Sequence, residues 1–97
     1  MTVPPYDVEF HRAAWKEILS LPAAARQTIL DEISARLSTD PIRESKTRIK
    51  RMTGFIPPLY RLRVGDYRVY YRIAPPLVAV LAVLHKKDSY RWLKNKP

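Results

Sequence analysis

Cysteine is absent from this chain of 97 residues, which excludes disulfides and thiolate-ligated metals and fits a reducing compartment. Histidine is scarce: His11 and His85 are the only two, and their separation argues against a metal site. Long apolar runs are missing too. The longest, Leu77 to Leu84, has eight residues, against the roughly 20 needed to span a bilayer. The opening Met-Thr-Val-Pro-Pro-Tyr has neither the charged segment nor the apolar run of a signal peptide. The expectation is one cytoplasmic domain over residues 1–97, without membrane partner, metal or cofactor.

Acidic residues are few, nine against eighteen Lys and Arg, and the shortage is local. Residues 43–97 carry fourteen basic and three acidic side chains, a balance of +11, whereas residues 1–42 carry four and six, a balance of −2. An apolar content of 46% and ten aromatic residues exclude a disordered basic tail. The basic half also holds the most strand-like segments, with arginines alternating among apolar residues. A folded sheet with an arginine face suits a polyanion, and nucleic acid is the indicated partner.

Tyr6 to Phe10 alternates as a half-buried strand does. From His11 the period becomes helical, with Ala14 and Ile18 on one face and Trp15 and Leu19 beside them. Pro22 ends that helix and opens a second, for which Ser20 is a candidate cap. Leu21, Ala25, Ile29, Ile33 and Leu37 form its stripe, and Ser38 to Pro41 end it. Residues 42–58, containing Lys50 and Arg51, read as a long basic connection with room for a short strand or turn, and connections of that length tend to be functional.

Leu59 to Val64 and Tyr67 to Ile73 alternate around Gly65-Asp66, a two-residue hairpin loop of type II′. Leu77 to Leu84 reads as a strand central in a sheet or covered on both faces, and the segment after His85 as a short helix. The fold class is α+β: two N-terminal helices on one face of a small antiparallel sheet, in the order β-α-α-β-β-β.

The short turn fixes register. Val64 faces Tyr67, Leu62 faces Val69 and Tyr60 faces Tyr71 on the core face, where all three tyrosines serve packing. On the other face Arg63 opposes Arg68 and Arg61 opposes Tyr70, with Arg72 beyond. Opposed arginines cost a few tenths to about 1 kcal/mol, a penalty that an anion between them reverses. The next strand returns His85, Lys86 and Lys87 towards this edge, with Tyr90 beyond, and Tyr70 is a candidate for stacking a base. Trp15 and Trp92 read as packing residues. A lone His at a strand end is more often structural than catalytic.

With this element order, the hairpin Leu-Tyr-Arg-Leu-Arg-Val-Gly-Asp-Tyr-Arg-Val-Tyr-Tyr-Arg-Ile and the segment Val-Leu-Ala-Val-Leu-His-Lys-Lys-Asp-Ser-Tyr-Arg-Trp-Leu closely resemble the RelE/ParE superfamily of bacterial type II toxins, from about Tyr6 to Leu93. The resemblance implies one of two activities. RelE-type toxins cut messenger RNA in the ribosomal A site without a metal, whereas ParE-type toxins inhibit DNA gyrase and lack the basic catalytic set. On the RelE pattern, Arg61 and Arg63 stand where two lysines are usual and Arg68 matches the arginine after the turn. Lys87 falls near a second arginine and Tyr90 near the tyrosine. Arginine keeps the charge but gives up a proton less readily than lysine.

The implied reading is a ribosome-dependent endoribonuclease with Arg63, Arg68, Lys87 and Tyr90 catalytic, and Arg61, Lys50, Arg51, Arg72, His85 and Lys86 contacting RNA. Tyrosine and lysine side chains titrate near 10 in water and histidine near 6.5, and a positive field favours phenolate or neutral amine. The resemblance also implies a cognate antitoxin, through which the complex binds operator DNA. The alternatives are a gyrase inhibitor and an RNA-binding module without cleavage.

Overall fold

The computed structural model describes residues 4–95. The chain runs β1 (Asp7–Phe10), α1 (Arg12–Leu19), α2 (Ala23–Leu37), β2 (Ile49–Met52), β3 (Leu59–Val64), β4 (Tyr67–Ala74), β5 (Leu77–His85) and α3 (Lys86–Lys94). The five strands form one sheet in the order β1-β5-β4-β3-β2. Pairing is antiparallel from β2 through β5, and β1 joins β5 in parallel. The expected α+β class holds, with a mixed sheet in place of a wholly antiparallel one.

The sheet has two cores. On one side Ala14 and Ile18 of α1 and Ile29, Ile33 and Leu37 of α2 pack against Leu62, Val64, Val69, Tyr71, Val78, Val80 and Val83. On the other, Leu59, Tyr70, Leu81 and Ala82 are covered by Trp92 and Leu93 of α3 together with Met52 and Phe55. The lack of alternation in β5 follows from this double cover. Tyr70 pairs with Ala82 but Tyr71 pairs with Val80, so Leu81 is the extra residue of a bulge. Each buried aliphatic side chain contributes about 1.5–3 kcal/mol, more than the opposed arginines cost, so the core holds the register that the turn sets and the sheet tolerates the repulsion.

One local expectation changes, and two take definite form. Ser20 does not cap α2: it closes α1, its hydroxyl donating to the Glu17 carbonyl at 2.7 Å, and Pro22 occupies the N-cap position without a side-chain bond. Only Leu21 lies between Ser20 and Pro22, which leaves Ser20 two residues too early to reach the first turn of α2. Residues 49–52 are a true edge strand, held by β3 and continued by the Arg63 amide donating to the Arg48 carbonyl at 2.8 Å. Its one buried residue, Ile49, gave too little periodicity to mark it, and its charges protect the edge. Trp15 packs on Phe10, ring centroids 5.4 Å apart, yet stays 43% exposed.

Beyond Val80, β5 loses β1 as a neighbour and α1 takes its place. There the Val83 amide donates to Glu17 Oε1 at 2.9 Å. Burial pushes the Glu17 carboxyl above the usual range, and the Val83 bond only partly offsets it. A raised folded-state pKa means this carboxylate weakens folding as pH rises from the ordinary Glu value through the raised one. Glu17→Gln keeps an acceptor without the charge, so its melting temperature should fall less than the parent's between acidic and neutral pH. Glu17→Ala leaves the amide unpaired and should cost about 1–3 kcal/mol. Thermal melts across that range check both.

Candidate nucleic-acid interface

The β3–β4 hairpin builds the centre of the site. Gly65 has φ of 56° and Asp66 does not, as a type II′ turn requires. The pairs Tyr60 with Tyr71, Arg61 with Tyr70, Leu62 with Val69, Arg63 with Arg68 and Val64 with Tyr67 follow, in the register read from the sequence. Lys50 of β2 lies opposite Arg61. Alternation therefore gathers Lys50, Arg61, Arg63 and Arg68 on the α3 side of the sheet, with Arg72 further along β4.

Arg68 is held at the turn, one guanidinium nitrogen donating to the Gly65 and Tyr67 carbonyls at 2.9 Å each. Partial burial and then the nearby Arg61 and Arg63 lower its affinity for its proton. Among the described residues Arg61, Arg63 and Arg68 form no ion pair. The buried Nε–H donors of Arg61 and Arg72 have no acceptor. Unneutralised like charges with spare donors are a poor way to build a sheet and a good way to hold an anion.

The other expected residues divide. α3 starts beside the turn, where the Lys86 amide donates to the Asp66 carbonyl at 2.7 Å and Lys86 Nζ lies 3.3 Å from Asp66 Oδ1. Lys87 is exposed in the first turn of α3, where it lines a cavity with Glu17, Ser20, Leu21 and His85 on the α1 side, and Tyr90, 77% exposed, follows at the i+3 position. The helix lies on the arginine side of the sheet, docked through Trp92, whose ring stacks on Tyr70 at 4.7 Å.

Tyr70 is only 1% exposed under that helix, so it cannot stack a base. Trp92 packs there, as its sequence position implies. His85 pairs with Tyr67 and the two rings lie T-shaped with centroids 5.6 Å apart, which puts it on the α1 side. There it caps α3, Nδ1 accepting from the Lys87 amide at 3.2 Å. Arg51, opposite Tyr60, also falls on the α1/α2 side by alternation. His85 and Arg51 are therefore separated from the arginine face.

Sequence reading missed Glu17, whose polar environment depends on where β1 stops, and Arg48, which precedes a strand the pattern did not reveal. No helix among the described residues is long and apolar enough to cross a membrane. No group of three or more potential metal-ligating His, Cys, Asp or Glu gathers among them.

Comparison with known proteins agrees with this fold. The family described as ParE toxin of type II toxin-antitoxin system, parDE, matches residues 8–90. Toxin RelE3 of Methanocaldococcus jannaschii is 27% identical over 85 residues, 88% of this chain and 96% of that protein. The archaeal RelE–RelB complex from Pyrococcus horikoshii OT3 contains a chain that superposes with a TM-score of 0.70 at 28% identity, covering 84% of this chain and 96% of that one. The toxin-antitoxin complex RelBE2 from Mycobacterium tuberculosis gives the same score and identity, covering 84% and 98%.

Proposed function

The chain belongs to the ParE toxin family of type II toxin-antitoxin systems, and from that premise we propose that it arrests growth by cutting messenger RNA on the ribosome. The observation that carries this reading is the unneutralised trio Arg61, Arg63 and Arg68 on one sheet face, two of them directly opposed. In-line attack of a ribose 2′-oxygen on the adjacent phosphorus forms one P–O bond and breaks the bond to the 5′-oxygen. A base takes the 2′-hydroxyl proton and an acid protonates the departing oxygen. Charge builds on the phosphoryl oxygens meanwhile, and fixed cations aimed there are the main source of rate.

Arg63 and Arg68 are the phosphoryl clamp in this reading, and Arg61 and Lys50 hold the flanking backbone. Lys87 and Tyr90, on the helix that begins beside the turn, are the candidates for proton transfer. The reaction takes place in the cytoplasm and uses no cofactor. A cognate antitoxin restrains the toxin, as the RelB-bound form of similar structures suggests, and carries the complex to operator DNA.

The test is a cell-free translation reaction with an end-labelled message, cuts being mapped by primer extension with and without ribosomes. Ribosome-dependent cuts within codons are the expected result. The ParE description of the matching family and the arginines in lysine positions favour a second reading, inhibition of DNA gyrase without catalysis. An intact message together with blocked supercoiling would establish that alternative.

A further inference from the structure

A second basic cavity lies away from the arginine face. It has a volume of about 370 Å³ and sits where the C-terminal half of α2 meets the segment leading into β2, lined by Arg36, Thr39, Asp40, Arg43, Ser45 and Arg48 among others. Arg36 and Arg48 share one carboxylate, Glu32, at 2.6 and 3.7 Å. Arg43 has neither a hydrogen-bond nor an ion-pair partner among the described residues. Three guanidinium groups thus face two carboxylates, Glu32 and Asp40, leaving one positive charge in excess. Ser45 Oγ accepts from the Arg48 and Ile49 amides at 3.0 and 3.4 Å, which leaves its hydroxyl proton free to donate.

Arg48 connects this place to the arginine face. It also lines a smaller cavity of about 240 Å³ together with Thr47, Arg63 and Gly65. Cations therefore run from Arg43 through Arg48 to Arg63, passing around the β2 edge of the sheet. We infer that the α2–β2 cavity is a second anion site, which binds a backbone phosphate of the same RNA strand whose scissile region lies on Arg63 and Arg68. A phosphodiester carries the single negative charge that the excess matches, and its acceptor oxygens suit guanidinium forks and a hydroxyl donor. A repeating backbone supplies an anion to both sites joined by Arg48, which a single acidic side chain does not. The inference rests on the RNA reading above and extends it from a point of attack to a track.

The experiment measures fluorescence anisotropy of the full chain with labelled single-stranded RNAs of about 12 and about 3 nucleotides, between about 50 and 200 mM salt. Arg43→Ala with Arg48→Ala should weaken the longer RNA about tenfold at the lower salt and flatten its log–log salt slope by about 0.7 for each lost phosphate contact. The shorter RNA, which fits on the sheet face alone, should change less than about twofold on the same scale. Arg43→Ala alone, which breaks no bond within the protein, should show part of the effect and guards against misfolding of the double variant. Arg63→Ala should weaken both RNAs.

Unchanged binding of the longer RNA by the double variant, with Arg63→Ala still weakening it, overturns the cavity site and leaves the proposed function standing. If that variant instead loses affinity for a polyglutamate peptide, the cavity belongs to a carboxylate partner and the phosphate assignment is overturned. Failure of the parent protein to bind either RNA overturns the cavity site, whereas the RNA reading is decided by ribosome-dependent cleavage in the translation reaction.

Discussion

Arg68→Ala is expected to lower ribosome-dependent message cleavage by about 10²–10³-fold, the loss typical of removing one preorganised donor from a developing oxyanion, and to abolish growth arrest on expression. The same variant should be nearly as stable as the parent. Truncation removes two bonds to the Gly65 and Tyr67 carbonyls, but it also removes the cation that faces Arg61 and Arg63. These contributions have opposite signs and each is on the order of 1 kcal/mol or less at an exposed turn. A large functional loss beside a small change in melting temperature marks a residue kept for its ligand.

Arg68→Lys sharpens the test. It retains the charge but loses the planar fork, so it should restore message binding better than it restores cleavage. Cleavage at the parental rate by Arg68→Ala would remove the clamp from the mechanism. Loss of supercoiling inhibition with no effect on translation would move the residue to a gyrase contact.

What the sequence disclosed depended on how far each feature was fixed by its neighbours. The hairpin was legible to the residue because a two-residue turn between alternating strands permits one register, and that register alone places Arg63 against Arg68. Coverage of β5 on both faces was legible because a run without polar residues has no face for water. The face of His85 was not. The β4–β5 connection does not fix register so tightly, and the bulge at Leu81 shifts parity within the strand.

The burial of Tyr70 is hidden in the sequence for a related reason. Its alternation correctly put it among the arginines, but its cover comes from α3, whose sheet-facing apolar residues are few and include Trp92 and Leu93. Lys50 and Arg51 received no face because β2 itself was hidden. Pairing then placed Lys50 with Arg61 and sent Arg51 to the opposite side.

Tyr71→Ala is expected to cost on the order of 5 kcal/mol, a large part of the 5–15 kcal/mol that holds most domains together. Tyr71 is fully buried, its ring stacks on Tyr60 at 5.6 Å, and its hydroxyl donates to the Pro41 carbonyl at 2.7 Å. Tyr71→Phe separates the contributions. It keeps the ring and loses the bond, so it should cost about 1–2 kcal/mol, read as a lower denaturant midpoint at unchanged slope. Burial first, then Tyr60 and Asp40, push the Tyr71 phenol above its ordinary range.

The protonated phenol is therefore favoured in the folded state, and the parent should lose stability as pH rises through the ordinary tyrosine value near 10. Tyr71→Phe should lack that component of the loss. The bond to Pro41 also ties β4 to the chain just before Arg43 and Arg48, so the sheet arginines and the α2–β2 cavity share one anchor. Tyr71→Ala should then lose activity by unfolding. Tyr71→Phe, below its melting temperature, should cleave like the parent, since the hydroxyl supports the frame and touches no reacting atom.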